Sequence, residues 1–132
     1  MKVLALDYGS ARTGVAVSDP TGTVARPVGV VERAGTPAGL ERLAELIHAE
    51  GAERVVVGLP LTLRGGHGEQ AETTAAFIDA LRGAVDVPVE SFDERFTTDL
   101  AEQDVAPDAP ADARAAAHLL TSYLAWSSGG RG

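Results

Sequence analysis

"LALDYGSARTGVAVSD", residues 4–19, decides how the chain is read. A short apolar run reaches an acid, Asp7, crosses a polar loop with Gly9 and Arg12, and returns through Gly14 to Val15, Ala16 and Val17. Strand, loop and strand is the simplest reading, with residues 2–8 and 13–18 extended. The Asp-Pro and Gly of "SDPTG" then turn the chain into a third strand over about residues 23–31, so it opens as an antiparallel meander. An ionised Asp closing a buried strand is costly unless it is hydrogen-bonded, paired or bound to a metal.

Beyond the meander, helix and strand alternate. Thr36 caps a helix that starts at Pro37, carries Leu40, Leu43, Ala44 and Ile47 on one side and stops at Gly51. "RVVVGLP", residues 54–60, is the continuous apolar run of a strand covered on both faces. A second helix is expected over 71–82, with Ala75, Ile78 and Leu81 inward and Gly83 after its end. "VPVESFDER", residues 87–95, makes a fifth strand, and 97–104 a short helix capped by Thr97 or Thr98. A Pro, Asp and Ala loop over 104–111 leads to a last helix over 112–126, which buries Ala115, Ala116, Leu119, Leu120 and Tyr123. The expected architecture is α/β, one domain over residues 1–126 with a flexible tail over 127–132. Its mixed five-stranded sheet combines a three-strand antiparallel meander with two parallel strands, under helices on both faces.

Composition narrows the function. With 132 residues, 45% of them hydrophobic and 23% charged, the chain suits one soluble globular domain. It lacks an apolar stretch of the roughly 20 residues needed to span a bilayer, and "MKVLALDYG" lacks the apolar core of a signal peptide, so a cytoplasmic protein without membrane partners is expected. There is no Cys, which excludes disulfides and leaves carboxylate, His or carbonyl groups to hold any metal. The net charge of −8 disfavours non-specific attraction to nucleic acid. Nearly all the cations are Arg, however, the side chain suited to bidentate phosphate contacts, and Arg12, Arg64 and Arg95 flank the Gly-containing or acidic motifs.

In sheets of this kind ligands collect at the carboxyl ends of the parallel strands. Asp7 ends the first strand, residues 58–60 the fourth and Glu94 the fifth. Two acids brought together there repel each other unless a cation lies between them, and Asp112, opening the last helix, can add a third oxygen. Oxygen-only ligation suits Mg²⁺ or Mn²⁺, and two such ions about 3.5–4 Å apart serve phosphodiester hydrolysis. Plainer roles compete. Asp7 also fits an acceptor of backbone N–H groups, Glu94 a partner of Arg95 or of solvent, and Asp112 an acid favoured by the helix dipole, with Asp104 and Asp108 as rivals. His67 and His118 lack metal-ligand spacing, and Gly9 and Gly14 need nothing beyond turn geometry.

Four segments in order, "LDYGSARTGVAVSD", "VVVGLPLTLRG", "DERFTT" and "DARAAAHLLTSYL", resemble the bacterial pre-16S rRNA nuclease family, the Holliday-junction-resolvase-like proteins with an RNase H-like fold. The resemblance covers nearly the whole chain. It implies a divalent-metal-dependent endonuclease that trims the 5′ end of pre-16S rRNA, with pre-rRNA, DNA or ribosomal precursor particles as partners and a monomer or homodimer as the active form. The family's three acids fall on Asp7, Glu94 and Asp112. Arg12 and Arg95 match phosphate-holding positions, and Gly58, Leu59 and Pro60 shape the adjoining loop. Two departures stand out: Thr62 where many relatives carry Asn, and a short acidic "EQDVAPDAPA" where many carry a basic stretch. Phosphate binding then falls on Arg12, Arg64 and Arg95. Two further classes fit parts of the pattern: an actin-like or sugar-kinase-type ATP binder using the loop from Asp7 to Gly14, which the length of one domain disfavours, and a non-catalytic nucleic-acid-binding or ribosome-assembly module.

Overall fold

Residue size alternates along the first strand, and that alternation makes two cores. The computed structural model describes residues 1–61, 68–97 and 107–130, with side chains as far as 127. Strands β1 (Val3–Asp7), β2 (Arg12–Ser18) and β3 (Ala25–Glu32) form the meander; α1 (Pro37–Glu50), β4 (Arg54–Leu59), α2 (Glu69–Ala84) and β5 (Val89–Asp93) follow. A 3₁₀ turn over Glu94–Phe96 and the helix α3 (Ala111–Gly130) complete the described elements. The sheet order is β3-β2-β1-β4-β5, antiparallel within the meander and parallel from β1 to β4 and from β4 to β5. This is the expected mixed sheet.

Successive residues of a strand point to opposite faces. Leu4, Leu6, Val15, Val17, Val55 and Val57 therefore meet Leu43 and Ile47 of α1 and Phe77, Ile78 and Leu81 of α2. Val3, Ala5, Ala16, Val56 and Phe92 meet Leu119, Leu120, Tyr123 and Leu124 of α3 on the other face. Each large side chain so buried stabilises the fold by about 1.5–3 kcal/mol. Local signals agree with these elements. The Thr36 side chain accepts a hydrogen bond from the Gly39 N–H at 3.1 Å, and Gly51 closes α1 with φ 67°, a left-handed conformation that glycine adopts without steric cost.

The structure revises several boundaries. Glu94 lies just past β5, as the first residue of the 3₁₀ turn. Gly83 is inside the last turn of α2, Ala75 is only partly buried, and Ala115 of α3 is exposed while Ala113 is buried. Helix α3 continues to Gly130, so residues 127–130 are helical, where a flexible tail was expected from 127. Gly14 and Gly58 belong to strands β2 and β4 instead of loops. The expected helix over 97–104, together with Thr62, Arg64, His67 and Asp104, falls largely or wholly outside the described residues.

Candidate functional site

The site grows from the pleat of β1. Val3 and Ala5 face α3, so Asp7 does too, and its register partner in β2 is Gly14. A Cβ on Gly14 would lie 1.8 Å from the carbonyl oxygen of Asp112. The missing side chain is thus what lets the first turn of α3 rest on β2, which carries Asp112 over the end of β1. Gly58 plays a similar part in β4: its Cβ would meet Cγ of Glu94 at 3.1 Å and Cδ2 of Leu119 at 3.0 Å. Two strand glycines therefore make room for the two acids that sequence reading had placed beside Asp7.

Glu94 is aimed by its neighbours. The Asp93 carboxylate accepts the backbone N–H of Arg95 at 2.9 Å and the Arg95 Nε at 2.9 Å, starting the 3₁₀ turn at the end of β5. The Arg95 guanidinium holds the Asp93 carboxyl below its ordinary pKa. Arg95 therefore pairs with Asp93, and Glu94 has no ion-pair partner among the described residues. The same holds for Asp7. Burial raises the pKa of Asp7, and the charge of Asp112 raises it further; burial raises that of Glu94, with Asp7 and Asp93 adding to it. Asp7 is thus the acid linked to both of the others, raised by Asp112 and itself raising Glu94.

Asp112 differs. Arg12, the first residue of β2, places its Nε 3.0 Å from the Asp112 carboxylate, in a pair whose side chains are 67% and 38% exposed. Among the described residues no three acids or histidines converge as a complete metal-holding group. The half-buried Asp7 and Glu94 nevertheless fit a hard divalent cation, because they are oxygen donors whose mutual repulsion such a charge relieves. Thr62 and Arg64 lie outside the described residues. Pro60 follows β4 in a tight turn with the Leu61 N–H on the Leu59 carbonyl at 3.0 Å, and Gly9 is clasped by Thr13, whose hydroxyl donates to its carbonyl at 3.3 Å. Sequence reading missed Asp93, although an Asp two residues before an Arg at a strand end carries an Asx-turn signal. It also missed Gly14 as a packing residue, since nothing local announces which helix will lie upon it.

Residues 1–126 match the family model described as RuvX: Holliday junction resolvase. A Chloroflexus aggregans protein named "Putative pre-16S rRNA nuclease" is 45% identical over 101 residues, which is 76% of this chain and 71% of that protein. One of the same name from Pelotomaculum thermopropionicum is 43% identical over 104 residues, 78% and 68% of the two chains. The match to a Chloroflexus aurantiacus relative spans 66% of its length. Among solved structures, Thermus thermophilus RuvC in complex with a Holliday junction substrate is similar over 98% of this chain and 96% of its own, with a TM-score of 0.67 at 21% identity. A second T. thermophilus RuvC structure gives 0.65 at 19%. The shared architecture is the RNase H-like fold.

Proposed function

The chain belongs to the RuvX Holliday junction resolvase family, and from that premise we propose that it is a divalent-metal-dependent endonuclease that trims the 5′ end of pre-16S rRNA in the cytoplasm. The observation that supports this reading is the strain on two half-buried acids from separate strand ends: burial raises the pKa of Asp7 and of Glu94, Asp112 raises Asp7 further, and Asp7 adds to Glu94, although no three of the described acids form a complete metal-holding group. A fold alone would not need that repulsion. Its persistence in a half-buried place argues for a charged ligand there.

Asp7 and Glu94 would hold Mg²⁺ or Mn²⁺, with Asp112 as the third oxygen donor. When bound, the cation supplies a Lewis acid that activates water and stabilises the charge developing on the leaving oxygen. The chain's own residues do the rest. The Asp93–Arg95 lock fixes where Glu94 points, Gly14 and Gly58 keep the approach open, and α3 sets the height of Asp112. An exposed ion pair is worth about 0–1 kcal/mol, so Arg12 leaves Asp112 at little cost and is available to a substrate phosphate. Arg64 and Arg95 are the further cations proposed to meet the backbone of the substrate, with Thr62 as a neutral contact. Because the chain as a whole carries −8, binding depends on these few groups and weakens with salt by about one counterion for each.

The test incubates a labelled pre-16S rRNA 5′ fragment and, separately, a DNA four-way junction with wild-type protein or Asp7→Asn, in Mg²⁺, Mn²⁺ or EDTA. Cleavage of the RNA that requires the cation and disappears in the variant is expected. Cutting of the junction alone would transfer the activity to branched DNA, and binding without cleavage of either would leave a non-catalytic module.

A further inference from the structure

The alternation that sends Asp7 toward α3 sends Tyr8 the other way. Its ring stacks on Phe77 of α2, with centroids 4.2 Å apart and planes 15° apart, and it walls a cavity of about 500 Å³. Ser10 of the β1–β2 loop and Glu69, Gln70, Thr73 and Thr74 of the opening turns of α2 complete the polar part of the wall. The volume falls in the range of roughly 300–1,000 Å³ usual for small-ligand sites. Tyr8 directly follows Asp7, so the cavity opens at the same strand end as the acids, on the other face of the sheet.

The chemistry of the wall selects the occupant. None of its described residues is Lys or Arg, and Glu69 brings a carboxylate, which disfavours a phosphate against this part of the wall. An aromatic ring, an amide, hydroxyls and one acceptor charge suit instead a flat, neutral, hydrogen-bonding group. Glu69 and Gln70 are exposed, and their own side chains make no hydrogen bond or ion pair among the described residues. The Thr73 hydroxyl donates to the Glu69 carbonyl at 3.0 Å, which leaves its oxygen as an acceptor. Carboxylates and carboxamides read the exocyclic amino groups of bases, and aromatic walls accept any base by its face.

We infer that this cavity is a base-reading subsite, which takes one unpaired nucleobase of the strand being cut, packs it against Tyr8 and reads its amino group with Glu69 and Gln70. The inference rests on the nuclease reading above and adds to it a preference at one nucleotide near the cleaved bond. An amino-bearing base is favoured there over uracil. Structured RNA offers such unpaired bases in loops and at helix ends.

The experiment changes one RNA position at a time, to uracil or to an abasic site, and follows kcat/KM with wild-type protein and with the double variant Glu69→Gln, Gln70→Ala. Both substitutions are on the exposed side of α2, and circular dichroism checks the fold. One position where the change costs the wild type about tenfold and the variant less than twofold is expected. Equal tolerance at every position, or the same dependence in the variant, overturns the inference while leaving the nuclease standing. In parallel, 2-aminopurine is walked through the same RNA bound to Asp7→Asn, a readout that needs no cleavage. A fluorescence change at a single position, lost when Glu69→Gln and Gln70→Ala are added, supports the subsite even if the wild type cuts nothing; a flat scan overturns it.

Discussion

Under α1 and α2 the central strands present Leu4, Leu6, Val15, Val17, Val55 and Val57, whereas the intervening positions under α3 include Ala5, Ala16, Gly14 and Gly58. The strands are the same and the spacing is the same, yet one face is filled with Leu and Val throughout, while the other keeps Val3 and Val56 and drops to Ala or Gly at these four positions. The filled face seals against two helices. The low face lets a single helix settle closely enough that its first turn touches β2, and the acids stand where that helix begins. Stability and chemistry are thus divided by the pleat of the sheet, and mutations on the two faces are expected to fail differently.

The largest effect is expected at Asp7. Asp7→Asn removes the acid linked to both others, and cleavage should fall about a thousandfold, a loss of about 4 kcal/mol of transition-state stabilisation. The fold should be unharmed, which thermal unfolding monitors. Retained cleavage would dissolve the division between the faces.

Next come two substitutions of about equal cost and different meaning. Leu43→Ala, beneath α1, should cost about 3 kcal/mol of stability through lost burial and a cavity, with activity per folded molecule unchanged. Gly14→Ala should cost about 3 kcal/mol by pushing α3 off β2, and it should also lower activity at temperatures where the protein remains folded. Gly29→Ala is the control, because a Cβ there meets nothing within 4 Å. Denaturant unfolding combined with cleavage rates separates the three.

The pH dependence is smaller and has a definite sign. Asp7 and Glu94 have folded pKa values above their ordinary ones, so the stability they contribute is full below the unfolded pKa, about 4, and is lost as pH rises through the raised values. In EDTA, Asp7→Asn should therefore gain on the wild type as pH rises from about 4 through the raised values, as read from paired melting curves. Asp93, lowered by Arg95, acts in the opposite sense and is common to both proteins, so it cancels from the difference. A wild type that gains on the variant as pH rises would show that the acids do not strain the fold.

How much of this was visible beforehand follows from where each cause resides. The strands, α1 with its Thr36 cap and Gly51 stop, and the acids at strand ends were legible, because polarity, period and capping are local properties. The role of Gly14 was not, since it depends on α3, nearly a hundred residues away in the chain. The end of β5 was drawn past Glu94 because the Asp93 cap stops the strand before the apolar alternation ends. The end of α3 was misread for another reason: Ser-Ser-Gly-Gly is a poor helix former, yet the helix continues through it, with the Ser127 hydroxyl donating to the Leu124 carbonyl at 3.2 Å.

Arg12 offers the finest probe, since it bridges the low face and the solvent. Its pair with Asp112 is exposed, and such pairs stabilise by no more than about 1 kcal/mol, so Arg12→Ala should leave the melting temperature nearly unchanged. Removing the guanidinium also removes a cation that competes for Asp112, so Mg²⁺ should bind the variant more tightly by calorimetry. Substrate binding should move the other way: a KM a few times higher, and a salt dependence of affinity shallower by about one counterion. The opposed changes in metal and substrate affinity are the point, because a purely structural arginine would move neither. Should Arg12→Ala instead unfold the protein by 2 kcal/mol or more while both affinities stand still, Arg12 belongs with the packing residues that hold α3 in place.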